Sequence, residues 1–373
     1  MKKLIFRNFF KDITYFFIIT SLSLTLIVWV IQAVNYLDFV SEDGHSFSVY
    51  FMYSLLSLPK IFSKLILFVF FISVFFTLAK YEENNEILIF WTFGIKKSEF
   101  LNKIVKFSLI FFLMSIILSV FLVPKTQDIA KSFVRESNID YFPSLIKTQH
   151  FNDAASDLTI FVEEKNQKGF IKNIFIKDNS SNNSQIISAK SGMIAKKNEL
   201  YYLILYNGNI VNLSKKNTNV IKFEKTEFNL SKYGTKSTIF PKIQETSSIK
   251  LVNCLSNFIK TKISYEQGKF RCNQSSIDAV FKETYKRLIL PFYVILIGFI
   301  TGCLVIKSKS QINFSKFKIF IFISGFIVIV FSEGSSNILN FFNLYKSSLV
   351  FIPFILILLL YLTIVKNKKI QSS

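Results

Sequence analysis

Residues 13–37, ITYFFIITSLSLTLIVWVIQAVNYL, run for 25 positions without a charged side chain. An α-helix rising 1.5 Å per residue needs about 20 apolar residues to cross a hydrocarbon core of roughly 30 Å, so this run is long enough to span a membrane. It exceeds the apolar region of a secretory signal and lacks a convincing small-residue cleavage site, so it reads as a retained span. Lys2, Lys3, Arg7 and Lys11 precede it. Basic residues beside a span stay on the cytoplasmic side, which predicts a cytoplasmic N-terminus.

Working outward, the loop Asp38–Ser48 carries Asp38, Glu42 and Asp43 but no Lys or Arg, the pattern of an outer loop. A second span is expected within about Val49–Ala79 and a third within about Ile104–Val123. The segment between them holds Lys96, Lys97 and Lys103 and reads as cytoplasmic. Three further spans are expected near Leu288–Ile306, Ile319–Ser332 (extending toward Leu339) and Leu349–Val365. Lys307, Lys309, Lys316 and Lys318 occupy one inner loop, and Lys366, Lys368 and Lys369 close the last span. The expectation is a polytopic α-helical membrane protein of six transmembrane helices, both termini cytoplasmic, interrupted once by a large polar insert.

The insert has a different period. Leu158–Val162, Phe170–Ile176, Gln185–Ile194 and Val220–Leu230 are short β-rich pieces, and Tyr201–Leu205 and Ile210–Leu213 flank Asn207-Gly208, a hairpin-turn dipeptide. Strands at this spacing predict an all-β domain on the outer, periplasmic side: an antiparallel sandwich, jelly roll or partial barrel. From Ser247 to Lys286 the pattern turns helical and amphipathic. The expected organisation is therefore residues 1–125 for spans one to three, 126–250 for the β domain, 251–286 for the connector and 287–373 for spans four to six.

Composition narrows the function classes. The chain is 51% hydrophobic with 45 phenylalanines and a mean hydropathy of +0.40, more apolar surface than a soluble core of this size requires. Its net charge of +21 comes from lysines beside spans or scattered through the insert, without the arginine-rich or aromatic patterning of a nucleic-acid surface. Two histidines, His45 and His150, and three cysteines with no metal-ligand spacing argue against a metal or haem site. No G-x-x-x-x-G-K-[ST], H-E-x-x-H or G-x-S-x-G motif occurs, so the chain reads as a non-enzyme without cofactor, and any ATP used must be hydrolysed by another subunit.

The strongest local signal is the turn Lys80–Ile95. Glu82, Glu83 and Glu86 form an acidic cluster, followed by the apolar Ile87-Leu88-Ile89-Phe90 and then Gly94 before Lys96-Lys97. Acidic residues on a cytoplasmic loop oppose the negative surface of the membrane. So short a helix cannot bury both faces in its own loop. It suits either the groove of a partner protein or the lipid interface.

This turn resembles the coupling segment of the LptF/LptG lipopolysaccharide-export permeases. Glu86, Ile87, Ile89, Gly94 and Ile95 match the family's pattern, whereas Asn84 replaces a common acid and Lys96 a common serine. The likeness extends over nearly the whole chain: six spans, a β-rich insert after the third, and Glu283-x-x-x-Arg287-Leu288 with Pro291 opening the fourth. That last feature resembles LptF more than LptG. The resemblance implies a heterodimer with an LptG-like permease, a cytoplasmic LptB-like ATPase dimer that grips the coupling helices, and transfer of lipopolysaccharide from the inner membrane through LptC- and LptA-like jelly-roll proteins. Glu82, Glu83, Glu86, Ile87, Ile89, Phe90 and Gly94 would form the ATPase contact.

Substrate contacts are less defined. Lys60 and Lys64, four apart on one helical face, suit either lipid phosphates or snorkelling to the interface. Gln32 and Asn35 stand where the family often carries a basic residue. The resemblance makes spans one and five a lateral gate, so Glu333 is either a gate residue or a helix-end charge. Glu283 and Arg287 form an i,i+4 pair with a structural or a gating role. Cys254 and Cys272 fall on the oxidising side, where a disulfide would contribute about 3 kcal/mol in the chain-entropy model; Cys303 reads as a packing residue. Alternative readings are an FtsX/MacB-like mechanotransmitter, against which six spans argue, and a membrane receptor or scaffold with a ligand-binding outer domain.

Overall fold

The structure, a computed structural model, describes residues 2–37, 47–137, 148–155, 158–166, 170–179, 184–197, 200–213, 218–229, 243–261, 265–267, 270–274 and 276–366. Asp38, Glu42, Asp43, His45, Lys368 and Lys369 lie outside the described residues. The chain divides into two units, one of residues 1–31, 57–128 and 242–373, the other of residues 32–56 and 129–241. Residues 32–56 thus group with the β insert, and the connector groups with the spans.

The first unit is mainly helical, and one of the helices that follow, Phe47–Leu56, belongs to the second unit. Helix α1 covers Lys2–Asn35, α2 Phe47–Leu56, α3 Leu58–Glu83, α4 Ile87–Thr92 and α5 Lys97–Ile117. A π-helical turn, Leu118–Leu122, then leads into α6, Val123–Ser137. The third apolar helix therefore runs straight past Pro124, where the sequence predicted a change of character. A proline lacks an N–H and crowds the carbonyl four residues back; the π turn immediately before it has already broken the regular ladder.

After the insert come α7 (Ser248–Thr261), α8 (Ile277–Leu288), α9 (Phe292–Gly302), α10 (Phe314–Ile338), α11 (Leu344–Ser347) and α12 (Ile352–Lys366). Among the described residues, five helices are long and apolar enough to cross a membrane. A sixth span is formed if α8 and α9, bent by 46° at Pro291, count as one. Most of α1, α10 and α12 is exposed and apolar, so their outer faces suit lipid or another helix. The buried core is aromatic: Phe6, Phe9, Phe17, Phe70, Phe71, Phe90, Phe100 and Phe111 pack with Ile13, Leu78 and Ile104.

The second unit contains six antiparallel strands in sequence order: β1 (Phe151–Ala155), β2 (Leu158–Lys165), β3 (Phe170–Asp178), β4 (Ser184–Lys197), β5 (Leu200–Leu213) and β6 (Thr218–Asn229). The expected inserted antiparallel β domain is present. Each strand pairs with its sequence neighbour, with no jelly-roll crossover among the described residues.

One expectation is corrected. Asn207-Gly208 is not a hairpin turn but the middle of the 14-residue strand β5, with Gly208 paired to Ala189 on one side and Phe223 on the other. Asn207 has φ +50° and Asn173, one row across in β3, has φ +45°. A left-handed residue inverts the strand's alternation, which explains why Ile171 and Ile174 both reach the core although they are three apart. Gly208 is needed because a Cβ there would lie 2.1 Å from the Ser188 carbonyl. The chemistry that suits Asn-Gly to a hairpin, tolerance of φ > 0, here serves a bend across a continuous sheet.

Candidate functional site

The turn between the second and third spans is built on buried aromatic rings. Helix α4 has only six residues, too few to be stable alone. Ile87 and Phe90 point inward and are 2% and 1% exposed. The Phe90 ring lies 5.3 Å from Phe6, 5.9 Å from Phe9 and 4.9 Å from Phe100. Phe6 and Phe9 belong to α1 and Phe100 to α5, so one side chain ties the short helix to two spans. The tie is hydrophobic and edge-on, a favourable arrangement for aromatic quadrupoles.

Burial divides the predicted contact set at this point. Ile87 and Phe90 form the helix's own anchor. Leu88, Ile89 and Phe93 are the apolar side chains left exposed, at 52%, 46% and 40%. Gly94 ends the helix with φ +67°, where a side chain would be strained although the space is open. Its carbonyl accepts a hydrogen bond from Lys2 Nζ at 3.1 Å.

The three acids differ in role. Glu82 is buried, and its Oε1 accepts the backbone N–H of Lys309 at 2.5 Å. Glu83 is exposed and forms an ion pair with Lys318 of α10 at 2.7 Å, while its carbonyl accepts from Lys309 Nζ. Glu86 accepts from the Asn84 side-chain amide at 2.9 Å, and Asn85 supplies the left-handed turn with φ +60°. Glu86 keeps partial exposure beside the apolar face of Leu88 and Ile89. The turn is therefore joined to α1 through Phe90, to α10 through Glu83, and to the loop before α10 through the bonds of Glu82 and Glu83 with Lys309. Lys309 and Lys318 were read from sequence only as orientation signals; nothing in the spacing revealed them as partners of the turn.

At the opposite end of the same unit, Arg287 is 3% exposed and organises a second cluster. Its Nε meets Glu283 Oε1 at 2.9 Å, and its Nη groups donate to the carbonyls of Thr246 and Gln244 at 2.8 and 3.0 Å and to Ser248 Oγ at 3.0 Å. Ser248 in turn donates to the Val120 carbonyl in the π turn, and Ser119 to the Arg287 carbonyl. The i,i+4 pair is part of a clamp that holds the return segment 243–248 against the entry to span four.

From the same helix, Asp278 accepts the Phe341 N–H, Lys282 donates to the Asn337 carbonyl, and the Tyr285 hydroxyl lies 2.9 Å from Ser335 Oγ. These positions recur along one face of α8 and hold the C-terminal end of α10. Cys254 and Cys272 are joined in a disulfide, with Cα atoms 6.0 Å apart, inside a small core with Leu251, Phe258, Ile277 and Val280.

Of the candidate lipid contacts, Lys60, Lys64 and Glu333 belong to the first unit. Lys60 Nζ reaches the side-chain oxygens of Gln127 and Gln244 at 3.5 and 3.2 Å, whereas Lys64, one turn on, is exposed. Gln32 and Asn35 belong to the second unit, where Gln32 accepts from the Tyr36 hydroxyl. Glu333 is exposed on α10, and its carbonyl accepts from Ser336 Oγ.

Comparison with known proteins bears on this arrangement. A family model described as lipopolysaccharide export system permease LptF/LptG matches residues 7–367. The curated "Uncharacterized protein RP871" of Rickettsia prowazekii (strain Madrid E) is 24% identical over 193 residues, covering 51% of this chain and 53% of the relative. The chain thus spans about half the length of the curated relative it matches.

Proposed function

Because the chain belongs to the LptF/LptG family of lipopolysaccharide export permeases, we propose that it is the membrane subunit that converts movement of a cytoplasmic ATPase into movement of the spans that admit lipopolysaccharide. The observation that carries this reading is the double attachment of the turn at 82–94. Phe90 is caged by α1 and α5, while Glu82 and Glu83 hold the start of α10. A push on α4 therefore reaches spans one and five together, the two that the family resemblance makes a lateral gate.

In this mechanism Leu88, Ile89 and Phe93 enter an apolar groove of an LptB-like ATPase, with Glu86 beside them to meet a basic side chain. The chain binds no nucleotide itself; ATP is consumed by the partner. Closure of the ATPase dimer displaces α4, and the stiffness of an aromatic contact carries that displacement into α1 without a covalent link. The outer end of α10 stays attached to α8, so the helix pivots instead of sliding.

The β domain receives the lipid and hands it to LptC- and LptA-like proteins on the periplasmic side of the inner membrane. Glu283, Arg287, Leu288 and Pro291 support the LptF-like member of an LptF–LptG pair. Isolation of the full chain from native membranes is the direct test. An ATPase bearing a phosphate-binding loop and a second permease of this family are expected to accompany it. A chain that emerges without any nucleotide-binding subunit is a receptor or scaffold instead.

A further inference from the structure

Where α1 begins, a groove of about 470 Å³ opens between it and the first turns of α5. Lys2, Lys3 and Arg7 line one wall, Lys103 and Glu99 the other, and Phe6 and Phe10 the floor. Four cations thus face one carboxylate. Among the described residues, the side chains of Lys3, Arg7 and Glu99 have no hydrogen-bond or ion-pair partner. Lys103 Nζ stands 5.8 Å from the centre of the Phe6 ring, held toward the groove by a cation–π contact. The unpaired Arg7 presents a planar fork suited to two phosphate oxygens at once.

We propose that this groove binds the phosphate headgroup of an anionic glycerophospholipid. An aromatic floor gives a glycerol backbone and the first methylenes an apolar surface, which free phosphate does not need. The groove also lies where the charged start of α1 gives way to the uncharged run from residue 13, the depth at which headgroups sit. Basic pockets between helices on a cytoplasmic face recognise such headgroups. The site rests on the export reading only for its leaflet. A lipid seated there would brace α1 at Phe6, one of the rings that hold α4.

The test uses the full chain with its co-purifying subunits, reconstituted in nanodiscs of phosphatidylcholine containing a minor fraction of phosphatidylglycerol, with native mass spectrometry counting retained lipids. Phosphatidylglycerol is expected to be retained over phosphatidylcholine. Each cation removed should weaken retention about fivefold, so Arg7→Gln with Lys103→Gln should weaken it roughly twenty-fivefold. Glu99→Gln removes the one repelling charge and should strengthen retention, an outcome that damage to the fold cannot mimic. Equal retention of the two lipids, or phosphatidylglycerol retention unchanged in the double variant, overturns the proposal. So does displacement of phosphatidylglycerol by millimolar inorganic phosphate, which would mark a free-anion site. Loss of the ATPase from the double variant with lipid unchanged would assign the groove to an acidic protein segment, and likewise overturns it. Retention is read without ATP, so the lipid site can fail while the export reading stands, and the reverse.

Discussion

Replacing Phe90 with alanine tests whether α4 is a lever attached to α1. The helix has two buried side chains, Ile87 and Phe90, and no intrinsic stability at six residues. Burial of each contributes about 1.5–3 kcal/mol. Truncating Phe90 also removes three ring contacts, at 4.9–5.9 Å, and leaves a void between Phe6, Phe9 and Phe100. A loss of about 3 kcal/mol is the lower end for Phe→Ala in a core, and it lowers the ratio of docked to undocked α4 roughly a hundredfold. The spans keep their own packing, so the expected effect is local. In proteoliposomes of the whole complex, ATP hydrolysis should persist within about twofold, while lipid exported per ATP falls at least tenfold. Hydrogen exchange should rise over residues 84–96 and not over α3 or α9. If exchange rises there and export per ATP is unchanged, the aromatic cage carries no force and the mechanism is wrong.

Other perturbations separate the remaining roles. Glu86→Arg reverses the one acid left partly exposed beside the apolar face and is expected to reduce ATPase co-purification without changing the melting temperature of the permease. Arg287→Met leaves the Glu283 carboxylate and several buried carbonyls unsatisfied, and should cost about 3–5 kcal/mol in thermal unfolding of the full chain; Arg287→Lys should recover little of it, because an ammonium cannot reproduce the fork. Gly325→Ala places a Cβ 2.2 Å from the buried Phe71 ring, so overpacking of about 1–3 kcal/mol should appear as a lower unfolding midpoint. Mass spectrometry without reductant should find Cys254 and Cys272 two hydrogens lighter than the free thiols. Their joint change to serine should lower stability by about 3 kcal/mol, and two native thiols would remove that expectation.

Legibility from sequence depended on how long a signal each feature leaves. A span leaves twenty or more apolar residues, and alternating strands leave several; both were readable. Which face of α4 turns inward was not, because Ile87, Leu88, Ile89, Phe90 and Trp91 are all apolar and no period distinguishes them. Asn207-Gly208 reported a positive φ correctly but could not say whether it ends a strand or bends one. Arg287 announced its partner Glu283 through helical spacing, yet the carbonyls of Thr246 and Gln244 have no sequence signature. Lys318 was legible as a charge near a membrane face; its pairing with Glu83, 235 positions away, required the fold.

The polar contacts of α10 are concentrated at its two ends. Lys318 near its start is held by Glu83, and Ser335 and Asn337 near its finish are held by Tyr285 and Lys282. Between them, Gly325 lies against the Phe71 ring, while Ile319, Ile323, Phe326 and Val330 are exposed. A helix fixed by directional bonds at both ends and by shape at one central point has a restricted repertoire. It can tilt about Gly325, but translation along its axis would break both sets of bonds at once. Breaking the exposed Glu83–Lys318 pair alone costs little, on the order of 1 kcal/mol or less, whereas the buried Tyr285–Ser335 contact at the other end costs more. In the proposed mechanism the end of α10 joined to α8 is the fixed one, and a displacement of the turn carried through the Glu83–Lys318 pair moves the other end, which is tilt.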